Sequence, residues 1–86
     1  MTPEKMVFLI REAPSATVVA VPIRGGEDEL IPLSYWDSIP KDEYLIVGTY
    51  DPRLPTFSAT RVRLDLRCAY RDAVACRKTL RASSTA

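Results

Sequence analysis

Histidine, asparagine and glutamine are all missing from this chain of 86 residues. Without imidazole it lacks the commonest general base near neutral pH and the commonest nitrogen ligand for a metal. The two cysteines, Cys68 and Cys76, therefore have no imidazole to activate them as nucleophiles. Their separation matches no metal-ligand or redox spacing. On one helix they would stand about 12 Å apart at 1.5 Å per residue, too far for a disulfide. Both are expected to be reduced, half-buried thiols in a reducing compartment.

Long apolar runs are missing too. The longest is Met6 to Ile10, far below the roughly 20 residues of a membrane-spanning helix. It is also too short and too poorly flanked for a secretory signal. A cytoplasmic protein without a membrane partner is expected. Gly25-Gly26 lacks the Gly, Lys and Ser/Thr that complete a phosphate loop. Asp42 and Glu43 are sequence neighbours, which on a strand point to opposite faces and so cannot share a proton. The alternating acids of a calcium loop are absent. These gaps lead to the expectation of a protein that is not an enzyme and has no catalytic residue, metal site or cofactor.

What is present is an ordinary globular composition, 47% hydrophobic and 27% charged. At this length one domain is expected, burying somewhat over ~60% of the surface of the unfolded chain. It is placed at residues 1–82, with a flexible tail at 83–86. Arginine outnumbers lysine nine to three. A GC-rich coding sequence produces that bias, and a bacterial, phage or plasmid origin fits it.

Thr2-Pro3-Glu4 makes a good helix start: a capping hydroxyl, a proline where no donor is needed, and an acid at the positive end of the dipole. Met6, Leu9, Ile10 and Ala13 then share one helical face, and Pro14 ends the element. The run from Met6 to Ile10 also fits a buried strand, so helix and strand both stay open over residues 3–13. Val18 to Ile23 predicts a strand, Gly25-Gly26 a turn, and a loop from Gly25 to Asp28 would set Ile23 opposite Leu30. Pro22 and Pro32 suggest edge or bulged strands. Ser34 to Pro40 is a connection that could hold one helical turn. Tyr44 to Tyr50 is the clearest strand, apolar enough at its centre for both faces to be covered.

Residues 57–80 allow two readings. In one, a single long helix carries the stripe Ala59, Val62, Leu66, Ala69, Ala73, Cys76 and Leu80, which leaves Leu64 pointing away. In the other, a strand over 57–64 is followed by a helix capped by Asp65, which places every apolar residue. The second is preferred. The expected fold is α+β: a small antiparallel sheet of three to five strands, a C-terminal helix packed on one face, and a short N-terminal helix if residues 3–13 are not a strand.

The net charge of +1 conceals a division. Residues 1–50 carry four basic and eight acidic groups, and residues 51–86 carry eight basic and three acidic ones. The expected basic face holds Arg61, Arg63, Arg67, Arg71, Arg77, Lys78 and Arg81. Arginine suits bidentate grip on carboxylate or phosphate. Asp65 and Asp72 interrupt the row, and no aromatic residues are interleaved, which favours an acidic protein over nucleic acid. The expected acidic and aromatic face holds Glu27, Asp28, Glu29, Tyr35, Trp36 and Asp37, where Trp and Tyr could anchor a partner.

These features converge on a small protein-binding module, an inhibitor or adaptor acting through charged faces on a larger bacterial or phage-related assembly. Small proteins of phages and mobile elements that disarm host machinery, anti-CRISPR proteins among them, share this bulk character, although no motif here matches one. A nucleic-acid-binding protein using the arginine face is the first alternative. A self-associating structural protein, in effect a homodimer, is the second.

Overall fold

The computed structural model describes residues 2–85, with side chains as far as Thr79. Helix α1 spans Pro3–Glu12. Thr2 caps it, its hydroxyl accepting from the Lys5 N–H at 3.3 Å, and Pro3 opens the first turn. The helix stops at Ala13, whose extended backbone is what a following proline imposes. Residues 3–13 are thus helix rather than strand. Met6, Val7 and Ile10 form the buried face, while Phe8 stands in solvent.

Strands β1 (Thr17–Pro22), β2 (Glu29–Pro32) and β3 (Tyr44–Tyr50) make one antiparallel sheet in the order β2-β1-β3. β1 is therefore the central strand, not an edge. Its terminal Pro22 is tolerated because β2 pairs only as far as Ala20, and Pro22 lies opposite Tyr44 of β3 alone. The register skips Val47 between Val19↔Gly48 and Ala20↔Ile46, a bulge in β3. β3 is an edge strand and is half-buried, so its apolar centre does not mark a strand covered on both faces.

The hairpin register also differs from the simple loop expected at Gly25 to Asp28. Leu30 lies opposite Val19 and Glu29 opposite Ala20, so Val21 and Pro22 pair with β3 alone and residues 23–28 form a broad connection. Gly25 and Gly26 hold φ of 100° and 128°, the left-handed region that favours glycine. The connection is held elsewhere: buried Asp28 accepts from the Tyr70 hydroxyl, and Arg77 Nε donates to the Ile23 carbonyl at 2.6 Å.

Helix α2 runs Ala59–Thr85, a single helix of 27 residues. The strand expected over 57–64 and the Asp65 cap do not form. Ser58 is the cap instead: its hydroxyl accepts from the Arg61 N–H at 3.2 Å and its carbonyl from the Val62 N–H at 3.1 Å. A helix starting there turns Val62, Leu66, Ala69 and Ala73 into the core together. The cost is Leu64, left 49% exposed. The expected tail over 83–86 and the side chains of Leu80 and Arg81 lie outside the described side chains.

Two clusters form the core between helices and sheet. Met6, Val7, Ile10, Val19, Val62 and Leu66 make the larger; Val21, Ala69 and Ala73 make the smaller, and Val47 packs against both. Val18 and Ala20 are fully buried but belong to neither cluster. They point to the opposite face of the sheet, as alternation requires. That face is covered by the connection from β2 to β3, which must cross β1 because β1 lies between them. It contains a 3-10 helix, Leu33–Ser38, that contacts β1 and β2, and buried Ile39. The molecule thus has helices on one face, the sheet in the middle and a crossover on the other face.

Candidate interaction surfaces

At about 100° per residue, Arg63, Arg67, Arg71 and Lys78 fall within an arc of about 80° on α2, facing away from the buried stripe. Arg67, Arg71 and Lys78 are exposed and Arg63 is half-buried. Val74, 44% exposed, lies within that arc, and Leu64, 49% exposed, lies about 20° beyond it next to Arg71. Asp65 and Asp72 sit about 100° or more around the helix from Arg71, so they do not interrupt this row as expected from the sequence. Asp65 is half-buried and accepts from the Tyr50 hydroxyl at 2.7 Å.

The structure does not bring all the expected basic residues onto that face. Arg61 projects from the opposite flank and pairs with Asp65 at 3.1 Å, one turn along. Arg77 is half-buried and its guanidinium holds the 23–28 connection through the Ile23 carbonyl. It belongs to the framework under the surface. Arg81 falls where side chains are not described.

The acidic and aromatic group is divided as well. Glu27 is exposed at the end of the broad connection, whereas Asp28 is buried against Tyr70. Burial, and then the hydrogen bond to Asp28, push the Tyr70 phenol up to about 12. Glu29 is exposed on β2, and its carboxylate, an acceptor for the Tyr44 hydroxyl, holds that phenol above its usual pKa. Tyr35, Trp36 and Asp37 lie exposed on the 3-10 helix, on the face of the sheet away from α2. Trp36 is 39% exposed, and the Lys41 ammonium sits 4.5 Å from its ring centre while donating to the Trp36 carbonyl.

Two arrangements had no clear sequence signal. Tyr50 reaches from β3 to Asp65 across fifteen residues of sequence. Burial first, and the Asp65 bond second, raise its phenol well above the usual range. The second is the free outer edge of β3, which follows from strand order and not from composition. Beyond β3, Asp51 and Arg53 pair at 3.0 Å, and the hydrogen bond from Arg53 holds the Asp51 carboxyl below its ordinary pKa.

Among the described residues no three acidic or thiol side chains converge as a metal site would need. No described helix is long and apolar enough to cross a membrane. No protein-family model matches the chain, and no curated protein or solved structure matches it.

Proposed function

We propose that this protein is a non-catalytic binding module that docks an acidic protein surface on the outer face of α2, and that it serves as an inhibitor or adaptor of a larger assembly. The observation that supports this most is the composition of that face. Its cations are unbroken by acids, run about 22 Å along the helix at 1.5 Å per residue, and include the exposed apolar side chains Leu64 and Val74. Cations interspersed with exposed apolar side chains suit a protein surface of mixed character, where buried apolar area adds to charge pairing. A phosphodiester backbone would reward the cations alone, and the face carries no aromatic residue on which bases could stack.

The test is copurification of a stoichiometric partner with the tagged full chain, followed by Arg67→Glu/Arg71→Glu. The double reversal should release the partner while leaving the helical circular dichroism unchanged. Retention of the partner by the folded variant would reject this surface. Titration with duplex DNA decides the alternative. Micromolar binding that weakens steeply with salt, with a slope of roughly −0.9 per phosphate contacted, would replace the protein partner with nucleic acid.

A further inference from the structure

Both outer strands of the sheet have an unpaired edge, but the two edges differ. β2 has four residues, carries exposed Glu29 and ends in Pro32. Shortness, charge and proline are what natural sheets use to blunt an edge. β3 has seven residues, Tyr44–Tyr50, with neither a charge nor a proline. Among the described residues no backbone group outside β1 hydrogen-bonds to it. Beside this edge α2 overhangs a shallow groove, lined by Leu45, Ile46 and Val47 from β3 and by Asp65, Cys68 and Asp72 from α2. Asp65 is engaged by Tyr50 and Arg61. Asp72 is exposed, and no described cation lies within ion-pair distance of it.

We propose that the β3 edge and this groove form a docking site for an extended basic peptide segment, which adds to the sheet as a fourth strand. Alternate side chains of an added strand turn toward α2, and a lysine or arginine there meets Asp72. Backbone pairing supplies the affinity, while the acid under α2 selects the side chain. A second copy of this chain fits the site less well. In pairing β3 with β3 across a two-fold axis, the added strand would carry no lysine or arginine to meet Asp72, because β3 has no charged residue. The bulge at Val47 bends the edge and suits a short segment.

The test uses the full chain and synthetic blocked peptides: one alternating valine and lysine, one alternating valine and glutamate, and the lysine peptide N-methylated throughout. The lysine peptide should bind and slow amide hydrogen exchange within residues 44–50. The glutamate and N-methylated peptides should not bind. Asp72→Asn should weaken the lysine peptide by about fivefold, the upper range for one exposed ion pair. Arg63→Glu/Arg67→Glu, about 140° or more around α2 from Asp72, should leave it within about twofold, which separates this site from the outer face. Failure of the lysine peptide to bind would overturn the proposal. So would equal binding of the glutamate peptide, survival of binding after N-methylation, protection elsewhere in the chain, or sedimentation showing a dimer with the β3 edge already protected.

Discussion

Gly48 and Tyr50 act as one unit. A Cβ on Gly48 would come within 3.0 Å of the Tyr50 hydroxyl and 3.2 Å of its ring. The bare backbone therefore lets the ring lie along the strand and reach Asp65 in α2. Gly48→Ala should displace the ring and cost about as much as Tyr50→Phe, roughly 0.5–1.5 kcal/mol for the lost hydrogen bond. Urea denaturation of both single variants and the double should give strongly non-additive losses; simple additivity would show that the two do not interact. The same phenol gives the fold a pH dependence. Tyr50 and Tyr70 both have folded pKa values above the unfolded value of about 10. Their neutral forms donate to Asp65 and Asp28. The stabilisation is therefore complete below the unfolded value and is lost as pH rises from there through about 12 for Tyr70 and beyond it for Tyr50. Urea midpoints measured up the alkaline range should fall, and the fall should be shallower in Tyr50→Phe/Tyr70→Phe. Identical alkaline slopes in wild type and variant would show that these phenols are not its source.

At the scale of elements, what could be read in the sequence depended on whether the deciding interaction was local. The start of α1 was legible because Thr2, Pro3 and Pro14 act within a few residues of themselves. β3 was legible as a strand but not as an edge, since strand order depends on the crossover from β2 and no residue of β3 encodes it. The start of α2 was the misleading case. Ser58, Thr60, Val62 and Leu64 alternate as a strand would, and Asp65 resembles a cap. The period was settled by tertiary packing, because only a helix from Ser58 places Val62 and Leu66 together against Met6 and Ile10. The candidate surfaces were half legible for the same reason. The row Arg63, Arg67 and Arg71 follows from helical spacing, while the removal of Asp28, Arg61 and Arg77 to other duties depends on partners distant in sequence or on the long helix. Three substitutions check this account by denaturant titration. Ser58→Ala should cost about 1 kcal/mol as a lost cap. Leu66→Ala should cost roughly 2–5 kcal/mol. Leu64→Ser, at an exposed site, should stay within about 0.5 kcal/mol. A loss at Leu64 comparable to that at Leu66 would instead support the strand.

For the molecule as a whole, the division of charge along the sequence becomes a division in space. The basic half folds mainly into α2, with Arg67, Arg71 and Lys78 directed away from the sheet. Exposed Asp37, Asp42 and Glu43 belong to the crossover on the far face. The sheet between them carries the coupling, because β1 buries both of its faces. Val19 and Val21 pack under the helices and Val18 and Ala20 under the crossover. The crossover is held at its two ends and once between: the Leu33 N–H donates to the Ala16 carbonyl at 3.1 Å, the Glu43 carbonyl accepts from the Ile23 N–H at 3.0 Å, and Ile39 is its buried side chain. Without β1 it has no surface to pack on, and without the crossover Val18 and Ala20 would face water. The layers should therefore unfold together, as small domains usually do. Trp36 is the chain's single tryptophan and sits in the crossover, so its fluorescence reports that layer, while circular dichroism at 222 nm reports α1 and α2. In a urea titration the two signals should share one midpoint and one slope. Ile39→Ala should move both midpoints equally, by roughly 2–5 kcal/mol of stability. A fluorescence transition that preceded the helical one, or an Ile39→Ala effect confined to fluorescence, would mean that the crossover melts alone and that β1 does not couple the two faces.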